Sequence, residues 1–201
     1  GSDKSFLKHT KRPCVASNRH LTGEWQEKHS VGAGMMRIEW DCEDNCYLLT
    51  CSVPLSHPRE DVFDFFSDAF QLEQITPPWL HFRISTAAPI ALQKGCLIDY
   101  RIRLHGIPIS WQTEISSWDP PYSFTDRQLR GPYLLWEHLH TFEEVEGGTM
   151  TMDSVRYRPL GGRLANWLIV EKDLRRIFEF RRRRMLELFP QSDVSTEQRL
   201  S

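Results

Sequence analysis

From residue 81 onward the chain keeps a two-residue rhythm through six stretches, HFRIST, CLIDYRIRL, ISWQTEISSW, SFTDRQL, YLLWEHLHTF and TMTMDSVRYR. Successive side chains of a strand point to opposite faces, so bulky residues alternating with polar ones describe half-buried strands rather than helices. The joints are turn formers: His105-Gly106-Ile107-Pro108, Asp119-Pro120-Pro121, Arg130-Gly131-Pro132 and Glu146-Gly147-Gly148. Hairpin spacing of this kind predicts an antiparallel meander. Its apolar face needs a cover, and the stretch that follows supplies one. RLANWLIVEKDLRRIFEFRRRRMLELF reads as a long helix with Leu164, Trp167, Leu168, Leu174, Ile177, Phe178, Met185 and Leu188 on one broad apolar side, expected to lie on the sheet. Gly161-Gly162 is expected to turn the chain from the last strand into this helix.

Ahead of the meander, CYLLTCSVP is a β-rich run ended by Pro54. SHPREDVFDFFSD then starts a helix, with Ser56 placed to cap it, Pro58 in the first turn, and Val62, Phe63 and Phe66 on its apolar side. A second short helix around AFQLEQI stops at Thr76-Pro77-Pro78, because a proline pair cannot continue it. The expected class is therefore α+β: a strongly curved antiparallel sheet of about seven strands gripping a long C-terminal helix, with two short helices after the first strand. A curved sheet and a helix spanning it need not meet along their whole length, which leaves room for a cavity.

The 201 residues, 40% of them hydrophobic, suffice for one domain with a substantial core and not for two. Residues 1–40 are polar, with glycines at 32 and 34 and no sustained period, and are expected to be an extension that is partly disordered or decorates the domain; Gly1-Ser2 has the look of an expression scar. Residues 41–189 form the domain, and 190–201 are a polar tail. The 25 basic and 27 acidic residues nearly cancel, so no global field favours nucleic acid or an anionic membrane. No apolar run approaches the ~20 residues of a membrane span, and no secretory signal opens the chain, so a cytoplasmic protein without integral membrane association is expected. The five cysteines, Cys14, Cys42, Cys46, Cys51 and Cys96, lack paired C-x-x-C spacing, and neither a disulfide framework nor a zinc ribbon is indicated. Arg181 to Arg184 cover all sides of a helix and read as a solvated helix end that complements the dipole.

The succession ITPPWLHF, G-x-L-I-D-Y, G-I-P-I-S-W, W-D-P-P, F-x-D-x-Q, G-P-Y-x-x-W-x-H-x-H-x-F and G-T-x-x-x-D-x-V-x-Y resembles a bacterial branch of the START-like, or SRPBCC, superfamily. These helix-grip proteins are similar to the birch-pollen allergen and to polyketide cyclase/dehydrase and lipid-transport domains. The resemblance spans residues 46–188 and implies an internal pocket for a hydrophobic small molecule, such as a lipid, polyketide or quinone. It implies no cofactor and leaves the activity open, since one fold serves carriage, sensing and ring closure.

Strand periodicity puts Trp136, His138, His140 and Phe142 on one side, Phe124, Asp126 and Gln128 on one side of the preceding strand, and Asp153, Val155 and Tyr157 on one side of the following one. If these sides face the same way, Asp126, Gln128, His138, His140, Asp153 and Tyr157 converge inside an apolar shell that includes Tyr100, Trp111 and Trp136, with Trp79 at the entrance. Three readings stay open. The histidines and acids satisfy one another as a structural layer; they orient a mostly apolar ligand; or His138 or His140, beside Asp126 or Asp153, acts as a general base in a cyclase- or dehydratase-like reaction. H-x-H on a strand could also hold a metal with an Asp as third ligand, but the resemblance argues against it. An interaction protein with a vestigial cavity is a further alternative.

Overall fold

The structure is a computed structural model and describes residues 35–190. Most of the extension and the C-terminal tail, residues 1–34 and 191–201, lie outside the described residues. Eight strands form one antiparallel sheet: β1 (Met36–Asp41), β2 (Cys46–Leu55), β3 (Arg83–Ile84), β4 (Leu97–Leu104), β5 (Ile107–Asp119), β6 (Ser123–Arg130), β7 (Tyr133–Val145) and β8 (Gly148–Pro159). Their order across the sheet is β1-β2-β8-β7-β6-β5-β4-β3. All of β4 to β8 follow the meander expected from the alternation. At the β4–β5 turn His105 and Gly106 both take positive φ (51° and 83°), the conformation a two-residue hairpin requires.

β1 is an addition to the sequence expectation, which leaves this stretch in the extension. It pairs along its whole length with β2, from Met36 opposite Cys51 to Asp41 opposite Cys46. HFRIST contributes only the two residues of β3, since His81 before it takes a left-handed conformation. Cys46, Cys51 and Cys96 are free thiols, while Cys42 is disulfide-bonded, against the expectation of no disulfide.

Between β2 and β3 lie α1 (Arg59–Ser67), a 3-10 turn at Ala69–Gln71, and α2 (Leu72–Ile75), which ends before Pro77-Pro78 as expected. Pro58, not Ser56, stands at the N-cap of α1, and no side chain caps it there. Proline at the boundary fixes φ for the first turn and has no N–H needing a partner. Val62, Phe63 and Phe66 of α1 are buried. The aromatic rings of Phe63 and Phe66 meet Phe142 edge-on, at 5.5 and 5.1 Å between centroids, so α1 closes one end of the sheet by aromatic packing.

The C-terminal helix runs as α3 (Gly162–Ala165), a π-helical turn (Asn166–Val170) and α4 (Glu171–Leu188). Gly161 and Gly162 enter it with φ of 82° and 62°, the left-handed region that glycine adopts without penalty. Leu174, Phe178 and Met185 are buried against the sheet, but Leu164 and Trp167 are 65% and 69% exposed, and Leu168 is exposed as well. The expected single apolar stripe therefore breaks at the π-helical turn. A π turn holds more residues than an α turn, so side chains before it fall out of phase with those after it. Asn166 is the residue turned inward there, accepting a hydrogen bond from the Tyr157 hydroxyl at 2.9 Å.

Candidate functional site

A cavity of about 190 Å³ lies between the curved sheet and α4. Its walls are mostly apolar: Phe66, Leu72 and Ile75 from the short helices, Leu80 from the 3-10 turn Pro78–Leu80, Ile98, Ile102 and Ile115 from the far half of the sheet, and Leu174, Ile177 and Phe178 from α4. Tyr100, Trp111, Tyr133 and Trp136 form an aromatic stack along it, with Trp111 lying flat on Tyr100 (18° between planes) and edge-on to Trp136 (89°). Polar groups are confined to Thr76, Thr113, Asp126, His138, His140 and Arg181, apart from the tyrosine hydroxyls and the indoles.

Register brings the ionisable groups together. Asp126 stands opposite His138, and Phe124 opposite His140, across β6 and β7; His140 stands opposite Asp153 across β7 and β8. Cross-strand neighbours share a face, so three strands deliver two imidazoles and two carboxylates to one spot. The imidazole rings lie 3.8 Å apart, with the Phe124 ring stacked on His140 at 4.4 Å. His138 Nε2 donates to Asp153 Oδ1 at 2.9 Å, and His140 Nδ1 lies 2.8 Å from the same oxygen, off the line of a good hydrogen bond. On the other side, Asp126 Oδ2 is 3.2 Å from His140 Nε2 and 3.6 Å from His138 Nδ1.

These distances assign the protons. A bare nitrogen lone pair does not sit 2.8 Å from a carboxylate oxygen, so His138 Nε2 and His140 Nδ1 both carry hydrogen. The contact at 3.2 Å from His140 Nε2 to Asp126 is a hydrogen bond, whereas 3.6 Å from His138 Nδ1 is too long for one. His140 is thus the imidazolium and His138 the neutral ring. Burial works to lower the pKa of His140, but hydrogen bonds to Asp126 and Asp153 outweigh it and raise it above the ordinary value. For His138, burial and the neighbouring His140 charge together prevail over Asp153 and Asp126, and its pKa is lowered.

Arg181 completes the cluster. Its Nε is 3.3 Å from Asp153 Oδ2, and its side chain is only 12% exposed, packed over the Phe66 ring at 5.2 Å. Burial would raise the Asp153 carboxyl, yet Arg181 and the two histidines hold it well below the usual carboxylate range; Asp126 is lowered likewise, against its own burial, chiefly by the hydrogen bond from His140. Two carboxylates therefore face one guanidinium and one imidazolium, and the buried cluster is balanced in charge, as a low-dielectric interior requires. The expectation that Arg181 is a solvated arginine is corrected here. Leu174, Phe178, Arg181 and Met185 follow the spacing of one helix stripe, so Arg181 lies on the buried face while the exposed Arg183 does not.

Of the residues expected in the pocket, Tyr100, Trp111, Phe124, Asp126, Trp136, His138 and His140 line it. Asp153 and Tyr157 are buried behind this lining, and Phe142 packs in the core with α1. Gln128 turns aside, its side-chain amide donating to the Tyr133 carbonyl and accepting from the Tyr133 N–H, and so braces the β6–β7 turn. Trp79 stands outside the cavity, edge-on to Phe180 and beneath the Arg176 guanidinium at 4.2 Å; its neighbours Pro77 and Leu80 take the place at the wall. Thr113, Tyr133 and the lining of α4 were not foreseen. Among the donors of the cavity lining, Arg181 Nη2 and Trp111 Nε1 are buried with no hydrogen-bond acceptor among the described residues, while Arg181 Nε meets Asp153 as an ion pair without a hydrogen bond.

A sheet curved around one long helix, with a cavity between them and two short helices at its end, defines the helix-grip architecture. No protein-family model and no curated protein matches the chain. Among solved structures it is similar to protein Ms6760 from Mycobacterium smegmatis (TM-score 0.56, 18% identity, 77% of this chain and 97% of that one). It is also similar to Ara h 8.0201 (TM-score 0.52, 12% identity, 72% and 97%) and to ginseng major latex-like protein 151 from Panax ginseng (TM-score 0.53, 10% identity, 73% and 99%). At these identities the likeness establishes the shared fold.

Proposed function

We propose that the protein binds and carries a hydrophobic small molecule in the cavity beneath α4. The observation that supports this most is the pairing of a largely apolar, aromatic-lined cavity with polar groups gathered on one wall. Apolar walls supply affinity and a few placed polar groups supply orientation. Arg181 Nη2 and Trp111 Nε1 are the donors left over, and burying an N–H without an acceptor costs about 1–3 kcal/mol. A cargo carrying an oxygen acceptor, lipid-, polyketide- or quinone-like in character, recovers that cost. Native mass spectrometry of the full chain, stripped of small molecules and then offered decanol and decane, tests the reading: 1:1 adducts favouring decanol support it, and no adduct with either refutes it.

A second reading, a cyclase- or dehydratase-like enzyme, draws on the opposite displacement of the two imidazole pKa values. Paired groups driven apart in this way are a recurring source of an acid and a base at one site. On this reading neutral His138 takes a proton through Nδ1, the nitrogen without a hydrogen bond.

A further inference from the structure

The side of the histidine pair that faces Asp126 has the makings of a metal site. Asp126 Oδ2, His138 Nδ1 and His140 Nε2 all lie within 4.8 Å of one another. Bonds of about 2.0–2.2 Å to a transition-metal ion separate adjacent ligand atoms by about 3.0–3.6 Å, and Asp126 Oδ2 is 3.2 and 3.6 Å from the two nitrogens. The opposite nitrogens, His138 Nε2 and His140 Nδ1, both face Asp153 Oδ1, at 2.9 and 2.8 Å. A ligating histidine ordinarily presents its other N–H to a carboxylate, which fixes the tautomer and ring orientation. Here a single carboxylate does so for both rings, and Arg181 anchors it at 3.3 Å.

We infer that Asp126, His138 and His140 bind one divalent first-row transition-metal ion, with Asp153 and Arg181 as the layer that orients the two imidazoles. Without the ion, the proton on His140 Nε2 occupies the same place, bridging to Asp126. His138 Nδ1, at 3.6 Å from that carboxylate, lacks a hydrogen bond on this side and is a lone pair ready to ligate. Asp126, His138 and His140 all line the cavity, so a three-ligand ion leaves its remaining positions toward the space where a cargo or water oxygen would sit. Imidazole and carboxylate ligands suit zinc, cobalt and iron in the divalent state better than calcium or magnesium. The inference stands on the three ligand atoms and does not need the cargo reading to be correct.

The full chain, without an affinity tag and stripped with a chelator, is titrated with Co(II) and followed by visible absorption. The expected result is a saturable band at one equivalent, with two strongly shifted, exchangeable proton resonances from His138 Nε2–H and His140 Nδ1–H in the NMR spectrum. Asp126→Asn should abolish the band, and Asp153→Asn should weaken binding by about 10–100-fold, with circular dichroism checking that each variant is folded. Absence of the band, absence of the two shifted imidazole protons, or a band unaltered in folded Asp126→Asn protein overturns the inference. The shifted protons are read on the unsubstituted chain, so the test survives if a variant fails to fold.

Discussion

Replacing Arg181 by Met keeps most of the side chain's length and its packing on Phe66 while removing the guanidinium that faces Asp153. In the variant Asp153 keeps the two histidines but loses the guanidinium partner within the cluster, and the balance of charge is broken in a site where both side chains are nearly excluded from water. Removing one partner of a buried ion pair costs about 3–5 kcal/mol, because the other charge stays buried. For a domain of this size each kcal/mol corresponds to about 2–4 °C in midpoint, so a fall of the order of 6–20 °C is expected. Thermal unfolding followed by circular dichroism measures it. Arg183→Met, at an exposed position of the same helix, is the control and should change stability by less than ~0.5 kcal/mol. Adding Asp153→Asn to Arg181→Met should return part of the loss, since the unpaired charge is then gone. If Arg181→Met costs no more than Arg183→Met, Arg181 is an ordinary surface arginine and the account of the cluster is wrong.

Three further outcomes follow from the same geometry. Asp153 has a folded pKa depressed well below its ordinary value; its stabilisation is present above the unfolded pKa, near pH 4, and is lost as pH falls through the folded value. Acid titration should therefore destabilise the parent protein below pH 4 more steeply than an Asp153→Asn variant, and equal slopes would contradict this. Burial, with Asp153 nearby, pushes the Cys51 thiol up to about 12, so alkylation at pH 8 followed by mass spectrometry should leave Cys51 unmodified in folded protein while the half-buried Cys96 reacts. A Cβ added at Gly148 would meet the Leu55 carbonyl oxygen at 2.0 Å, so Gly148→Ala should lower the unfolding free energy by about 1–3 kcal/mol; a neutral result would mean that the end of the β2–β8 pairing yields easily.

Strand alternation carried most of the fold, because a half-buried antiparallel sheet imposes period two on the sequence. The register of the histidine cluster was legible for the same reason: His138 and His140 are two apart, and Asp126 and Asp153 fall on matching faces of adjacent strands. The same signal exists in Met36, Ile38 and Trp40 of β1, but three alternations beside a polar lead-in are a weak pattern. Periodicity failed at the helix, where one 3.6-residue phase was carried from Leu164 to Leu188 across a π-helical turn that no composition rule reveals. It also hid Arg181 within four consecutive arginines, although the spacing to Leu174, Phe178 and Met185 marks its face. Trp79 is expected at the cavity entrance because of the proline pair before it; its neighbours Pro77 and Leu80 reach the wall, while its own ring packs edge-on against Phe180 of α4 rather than into the cavity.

Binding of N-phenyl-1-naphthylamine, a neutral apolar fluorophore, to the parent protein and to an Ile115→Trp variant tests the cavity most directly. Ile115 is fully buried and lines the cavity wall, so the larger ring occupies the space a cargo would take. Saturable 1:1 fluorescence enhancement in the parent, lost in a folded Ile115→Trp variant, is the predicted result. No enhancement in the parent, or equal binding by both proteins, would contradict the cavity as the site of function.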